Sequence, residues 1–333
     1  MSEHNPLLQE FDHPPFSKIK NEHFKPAFEE SLKEARAEID AIVGNTETPT
    51  FENTIEALEF SGLKLGRIAS IFFNLNSAET NADIQKIAQE ISPLLSEFNN
   101  DLLLNSKLFQ RIKIVFENKS NQNYNQEQTM LLEKVYKNFT RNGAKLNESD
   151  QGRLREIDKE LSITSLQFGE NVLAETNAFE HYIEDEADLE GVPKSVKEAS
   201  KSLAREKGKK GYILTLDYPT YIPVMKFAKN RDLREQLLKG FGSKAFKGNK
   251  YNNEENVLKI VRLRLERAKL LGFKSHAEFV LEERMAKTVD NVQSFLDDIL
   301  DKAMPAAEKE LKELKDFAFK TDGITDFQKW DKA

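Results

Sequence analysis

The sequence predicts a mainly α fold, a multi-helix body that carries a small β-ribbon. Three observations support this prediction. Apolar residues recur at spacings of three and four along most of the 333 residues. Glycine and proline, which interrupt helices, number only 14 and 10. The period changes to that of a strand at about 177–185 and 211–217, where β-branched and aromatic residues gather.

The first half of the chain combines an extended lead-in with a series of helices. Residues 1–20 contain three prolines and no periodicity, which predicts the lead-in. A helical pattern begins near Glu22 and ends at Gly44, and a second helix is predicted within 51–62. The pattern at 147–176 is the longest, and its apolar face consists of Leu154, Ile157, Leu161, Phe168 and Val172. Further helices are predicted at about 63–77, 80–104, 106–117 and 125–141.

The second half places a short helix, about 193–207, between the two strand segments. The basic run from Arg205 to Gly211 is interpreted as the solvated end of that helix, because basic residues suit a helix C-terminus and glycine stops a helix. No repeat or low-complexity linker is evident, so residues 21–333 are predicted to form a single helical lobe. Trp330 is the only tryptophan, and its packing partner is expected beyond residue 333. Further helices are predicted at about 219–229, 231–241, 254–271, 275–283 and 289–320.

Composition and charge exclude several classes of function. The net charge of −7 and pI near 5.5 argue against nucleic acid or an anionic membrane as the main partner. The absence of cysteine excludes disulfides, thiol nucleophiles and thiolate zinc sites. No apolar run is long enough to span a membrane, and the N-terminus lacks the pattern of a signal peptide. These features together favour a cytoplasmic protein.

The triplet His276-Ala277-Glu278 raises the question of a zinc site. Residues two apart on a helix point about 200° apart, so these two side chains cannot face one ligand. We therefore interpret them as a histidine at a helix start beside a solvated glutamate. A helical zinc motif would need two histidines four residues apart, which the sequence does not contain. No P-loop, nucleophile elbow or dinucleotide loop is present either, so the residues alone indicate no catalytic or metal-binding group.

Six blocks of the sequence together carry a resemblance to a known family. They are "NPLL", "FENTIEALEFSG", "IFFNLNSAETN", "GAKLNESDQGRL", "LDYPTYIPVM" and "LLGFKSHAEFVLEERMAKT". In order and spacing they resemble peptidase family M3, the thimet-oligopeptidase family of zinc metallopeptidases. Within that family, "FENTIEALEFSG" and "IFFNLNSAETN" most resemble the bacterial peptidyl-dipeptidase branch, and oligopeptidase A is a close second. The resemblance extends from about Asn5 to Ala333, which is essentially the whole chain.

The resemblance implies the neurolysin-like metallopeptidase fold, with two helical lobes and a narrow channel between them. It also implies one zinc ion, held in the full-length protein by an H-E-F-G-H helix and a later glutamate. Those motifs lie C-terminal to the matched region, so no catalytic or metal-binding residue can be assigned here. The chain is therefore identified as the non-catalytic N-terminal lobe of such a peptidase, with no cofactor of its own. Its implied partners are short peptides and its own missing C-terminal catalytic lobe.

Two further hypotheses accompany this identification. Without the resemblance, the acidic helical chain is equally well a stand-alone scaffold or interaction protein. Tyr218, Tyr221 and Met225, beside two turn-forming prolines, are predicted to border the peptide channel, and the alternative is ordinary packing at a strand-to-helix corner. If the chain is one lobe, the surface facing its partner should be an exposed apolar patch.

Overall fold

The computed structural model describes residues 5–332, so the first four residues of the predicted lead-in lie outside the described part. The chain divides into two compact units. Unit 1 comprises the residues up to Leu166 together with Lys259–His276, and unit 2 comprises Gln167–Leu258 and the residues from Ala277 onward. Each unit is described separately below. The assignment of residues 21–333 to a single lobe stays a prediction.

The mainly α fold and the β-ribbon are both confirmed. Residues 5–20 contain turns and bends but no helix or strand. The helices of the first half are α1 (Asn21–Gly44), a π-helix (Phe51–Glu56), α2 (Ala57–Glu59), α3 (Leu63–Ala78), α4 (Ala82–Leu103), α5 (Ser106–Glu117), α6 (Gln126–Arg141) and α7 (Glu148–Ala178). The second half contains β1 (His181–Ile183), α8 (Lys194–Glu206), β2 (Tyr212–Leu214), α9 (Tyr218–Phe227), α10 (Arg231–Gly242), α11 (Glu254–Leu270), α12 (His276–Leu281) and α13 (Val289–Asp322). None of the described helices is both long and apolar enough to span a membrane.

Phenylalanine side chains form much of the core of unit 1. The ring of Phe72 on α3 meets Phe24 and Phe28 of α1 edge-on, with ring centroids 5.0 and 5.4 Å apart. This geometry is favourable because the positive edge of one ring faces the negative face of the other. A second cluster joins α1, the π-helix, α5 and α6, and it includes Ile55 and Ile112. Burial of these apolar faces is what holds the helices of this unit together.

The helix predicted within 51–62 begins as a π-helix instead of an α-helix. Buried Arg111 of α5 lies against this segment. Its guanidinium donates to the carbonyl oxygen of Asn45 at 2.7 Å and to Oδ1 of Asn53 at 3.0 Å. Thr50 caps the π-helix by accepting from the backbone N–H of Asn53 at 3.2 Å. Over six residues the apolar spacing cannot distinguish a π-helix from an α-helix, so the wider turn cannot be predicted from the sequence.

The apolar face predicted for α7 is confirmed at Leu154 and Ile157, which are fully buried. It is wrong at Phe168, which is 37% exposed. Within unit 2 the buried positions of α7 are the polar residues Asn171 and Glu175. Asn171 donates to Oδ1 of Asn253 at 2.9 Å, and Glu175 forms an ion pair with Lys247 at 2.8 Å. These positions are buried because polar partners from one loop satisfy them, which apolar periodicity cannot indicate.

The β-ribbon of unit 2 is a two-stranded antiparallel sheet in which Tyr182 of β1 pairs with Ile213 of β2. The intervening helix α8 ends as the sequence predicts. Gly208 adopts a left-handed φ of 70°, and its N–H donates to the carbonyl of Arg205 at 3.0 Å. The next N–H, from Lys209, reaches the carbonyl of Ala204 at 2.8 Å, which completes a Schellman motif. The basic run is thus a helix end, as interpreted.

Trp330 packs against the core of unit 2, so the expectation that its partner lies beyond residue 333 is wrong. The segment that follows α13 returns to α10 and is held there by the buried carboxylate of Asp331, which is only 2% exposed. Arg231 donates to both carboxylate oxygens, from Nε at 2.8 Å and from Nη2 at 2.9 Å. Arg234 donates from Nε to the carbonyl of Trp330 at 2.7 Å and from Nη1 to the carbonyl of Ala228 at 2.7 Å. We call Arg231, Arg234 and Asp331 the arginine clamp.

Gly211 and Gly208 offer a matched test of the ribbon. Both have a left-handed φ, which costs a residue with a Cβ roughly 1–2 kcal/mol. A Cβ on Gly211 would also lie 2.4 Å from the backbone oxygen of Ile183, whereas a Cβ on Gly208 would meet nothing within 4 Å. Gly211→Ala should therefore lower the free energy of unfolding, measured by urea denaturation, by at least twice as much as Gly208→Ala. Equal losses would show that the close approach of the strands is not tight.

The arginine clamp predicts a pH-dependent loss of stability. Hydrogen bonds from Arg231 hold the pKa of Asp331 below its usual value of 3.8. A lowered folded-state pKa contributes stability that is complete above about pH 4 and is lost as the pH falls through the folded-state value. Asp331→Asn should cost about 3 kcal/mol at pH 7, because two arginines lose a buried partner.

The same difference between wild type and Asp331→Asn should shrink in urea titrations repeated below pH 4. Asp316→Asn, at an exposed position of α13, is the control and should change little at any pH. A difference that stays constant down to pH 2 would show that ionisation of Asp331 is not its source.

Candidate functional site

The predicted channel residues lie on α9, directly after the ribbon. Strand β2 ends at Leu214, and the helix begins at Tyr218 with a proline at its second position, where the missing N–H costs nothing. The backbone N–H of Tyr221 donates to the carbonyl of Asp217 at 2.8 Å, which closes the first turn. The strand-to-helix corner therefore fixes where the tyrosines point.

The three predicted residues differ sharply in exposure. Tyr218 is 67% exposed, whereas Tyr221 is only 7% exposed and Met225 is buried in the core of unit 2. Ile222 is also exposed, and it lies four residues from Tyr218 on the same face of α9. Of the three predicted residues, Tyr218 alone presents most of its side chain to solvent.

Tyr221 supports Tyr218 through a shared neighbour, Phe241 of α10. The rings of Tyr221 and Phe241 are stacked, with centroids 4.4 Å apart and planes inclined by 18°. Tyr218 meets the same ring edge-on at 6.0 Å. The ammonium group of Lys244 lies 3.7 Å from the centre of the Phe241 ring, a cation–π contact. Burial raises the pKa of Tyr221, and Tyr218 adds to that rise.

We call Tyr218, Tyr221, Phe241 and Lys244 the aromatic corner, and its exposed part offers a surface for binding. Tyr218 offers an exposed ring face and a hydroxyl that can donate and accept a hydrogen bond. Lys244 adds a positive charge against the ring of Phe241, which Tyr218 also contacts. The arrangement suits contact with an extended chain that carries carbonyl oxygens and apolar side chains.

His276 and Glu278 lie at the start of α12, as the sequence predicts. Burial lowers the pKa of His276, and the charges of Arg264 and Arg267 lower it further. A histidine beside two guanidinium groups is a poor place for a cation. Within residues 5–332 no three His, Asp or Glu side chains are grouped so that they could hold a metal ion. The zinc that the family resemblance implies therefore does not fit any group of residues described here.

An exposed apolar patch is expected on a lobe that faces a partner, but its position cannot be predicted from the sequence. The structure presents one on α13, whose 34 residues are all described and of which only Ala318 is buried. The exposed apolar residues of one side of this helix are called the α13 face. They are Val289, Phe295, Leu296, Ile299, Leu300, Met304, Leu311, Leu314 and Phe317. The signal was their spacing of three and four residues, but periodicity alone cannot tell a covered face from an open one.

Comparison with known proteins identifies the family. The sequence model of the family described as Peptidase family M3 matches residues 224–333, from within α9 to the end of the chain. Oligopeptidase A of Haemophilus influenzae is 36% identical over 335 residues, which cover 99% of this chain and 49% of the relative. Dipeptidyl carboxypeptidase of Salmonella typhimurium is 32% identical over 98% of this chain and 49% of its own length. Probable cytosolic oligopeptidase A of Arabidopsis thaliana is 30% identical over 94% of this chain and 45% of its own length.

The chain therefore belongs to peptidase family M3, and the resemblance found in the sequence is confirmed. It spans about half the length of the curated relatives it matches, and the match falls on their N-terminal half.

The aromatic corner predicts a contrast in stability between its two tyrosines. Tyr221→Ala should lower the free energy of unfolding by about 3–5 kcal/mol, because it leaves a cavity beside Phe241. Tyr218→Ala should cost about 1 kcal/mol or less, because most of that side chain is already in water. Both values are measured by urea denaturation. Tyr221→Phe, which keeps the ring, is the control and should retain most of the stability. A large loss in Tyr218→Ala would mean that Tyr218 serves mainly to hold the fold.

Proposed function

We propose that this chain is the non-catalytic N-terminal half of a zinc-dependent oligopeptidase or peptidyl-dipeptidase that hydrolyses short peptides, with release of C-terminal dipeptides in the second case. The observation that carries the proposal is the match over 99% of this chain to just under half of an oligopeptidase A. The dipeptidyl carboxypeptidase relatives support the second activity. The Arabidopsis relative, named as a probable cytosolic protein, supports a cytoplasmic location.

The catalytic zinc is proposed to be held entirely by the other half of the protein. Support comes from the chemistry of the residues present: no pair of histidines is spaced by four, and within residues 5–332 no cluster of ligands is grouped for a metal. This chain would then contribute binding surface and shape to the reaction, and it would supply neither the general base nor an oxyanion donor.

Tyr218 is proposed to border the peptide channel, with Tyr221 and Met225 holding α9 in place behind it. The exposure of Tyr218 and Ile222 on one face of α9 supports this role, as does the positive charge of Lys244 on the Phe241 ring that Tyr218 contacts. An aromatic ring and a fixed cation can contact a peptide without contributing to bond cleavage. Such a residue affects substrate affinity more than the rate of the chemical step.

The proposal is tested with this chain alone and with a chimera, in which residues 1–333 are joined to the C-terminal half of the Haemophilus influenzae oligopeptidase A. The chain alone should not cleave short peptides even with added zinc. The chimera should cleave them, and a chelator should abolish that activity. Cleavage by the chain alone, or a folded zinc-loaded chimera without activity, would contradict the proposal and favour the alternative of a helical scaffold.

In the same chimera, Tyr218→Ala should raise KM for short peptides several-fold and leave kcat nearly unchanged, because the ring is proposed to bind peptide without taking part in the chemistry. Lys226→Ala, at an exposed position on the same helix, is the control. An unchanged KM in a stable Tyr218→Ala chimera would remove Tyr218 from the channel.

A further inference from the structure

We infer that the α13 face is the docking surface for the polypeptide that corresponds to the second half of the M3 relatives. This inference rests on the proposed function and deepens it, because it assigns the surface through which the two halves meet. The partner surface is expected to be apolar at its centre and basic at its edge.

Helix α13 exposes a continuous apolar face along most of its length. At about 100° per residue, the residues of the α13 face occupy roughly half of the circumference. They extend from Val289 to Phe317, and each is between 38% and 66% exposed. Helices of globular proteins gain most of their stability by packing such a face, and open patches of this kind mark interaction sites. The apolar face of α13 therefore requires a partner that covers it.

Helix α13 is held in place at both ends. Thr288 caps its start by accepting from the N–H of Asn291 at 3.1 Å. Gly323 ends it in a left-handed conformation, with its N–H donating to the carbonyl of Phe319 at 3.0 Å. The segment beyond Gly323 is then fastened to α10 by the arginine clamp. Because both ends of α13 are fixed, the α13 face is already helical before a partner binds.

The charge of α13 disfavours a second copy of this helix as the occupant. The helix contains nine acidic residues against five lysines. Its first half is the more acidic, with four aspartates and only Lys302 between Val289 and Met304. Two copies would both carry this excess of negative charge, and a parallel pair would also bring the two acidic first halves together. A different surface, with basic residues around an apolar centre, matches this helix better.

The length of the relatives favours the second half of such a protein as the occupant. Oligopeptidase A and dipeptidyl carboxypeptidase are about twice as long as this chain, which covers 49% of each. A single polypeptide of that length supplies a partner at a fixed, high local concentration. The remaining half of such a protein is therefore the occupant that best accounts for a long apolar face left open here.

The test compares hydrogen exchange of α13 in the chain alone and in the Haemophilus influenzae chimera. A helix with one uncovered side exchanges its amide hydrogens quickly, and coverage slows exchange. We expect exchange in α13 to be about tenfold slower, or more, in the chimera. Leu296→Glu should abolish that protection and lower the midpoint of thermal unfolding of the chimera, while leaving the chain alone as stable as before.

The matched control is Ser294→Glu, which adds the same charge two residues away on the opposite side of the helix and should leave the protection intact. Equal effects of the two substitutions would overturn the inference. A second outcome would also overturn it: the chain alone sediments as a dimer, Leu296→Glu dissociates that dimer, and α13 stays unprotected in the chimera. The occupant would then be a second copy of this chain. A second chimera, with the C-terminal half of the Salmonella typhimurium dipeptidyl carboxypeptidase, guards against a mismatched partner. Failure of both chimeras to protect α13, or to fold, counts against the inference.

The two proposals can fail separately. An active chimera with an unprotected α13 would refute the docking surface and leave the peptidase function standing. A chimera with a protected α13 and bound zinc but no peptide cleavage would refute the peptidase function and leave the docking surface standing.

Discussion

The need to cover apolar helix faces is the constraint on which the rest of this structure depends. In unit 1 it is met by phenylalanine and aliphatic side chains of α1, α3 and α4 in one cluster and of α1, the π-helix, α5 and α6 in another. In unit 2 it is met around the β-ribbon, α9 and α10. The same constraint is left unmet on α13, where an amphipathic helix faces water with its apolar side. The inferred docking surface relates this open face to the family, because the relatives contain about as many residues again as this chain.

Buried polar contacts decide the geometry where apolar packing alone would leave it loose. Arg111 fixes the loop before the π-helix, Glu175 fastens a loop to α7, and Asp331 fastens the segment after α13 to α10. Each joins positions far apart in sequence, so each restrains the path of the chain more than a local contact does. A buried charge that loses its partner is costly, which makes these contacts specific as well as stabilising.

The sequence predicted the type and the approximate bounds of nearly every helix, because amphipathic helices repeat their apolar residues at a period that is visible without tertiary structure. It failed where the outcome depends on distant partners. The wide turn at Phe51–Glu56 is fixed by Arg111, the burial of Asn171 and Glu175 depends on a loop more than 70 residues away, and Trp330 found its partner within the chain. The predicted channel residues are neighbours in sequence but differ in burial. Tyr221 is covered by the stacked ring of Phe241 from a different helix, whereas Tyr218 only meets the edge of that ring.

The position of Trp330 gives the protein a built-in optical reporter. It is the only tryptophan, and it lies against the core of unit 2 with the guanidinium of Arg231 5.5 Å from its ring. Unit 1 contains no tryptophan, and much of its aromatic core is phenylalanine, which emits weakly and at shorter wavelength. Intrinsic emission excited at the red edge of the absorption band therefore follows the attachment of the C-terminal segment and is nearly blind to unit 1. Unfolding confined to unit 1 can thus be distinguished from a change in unit 2 or its C-terminal segment.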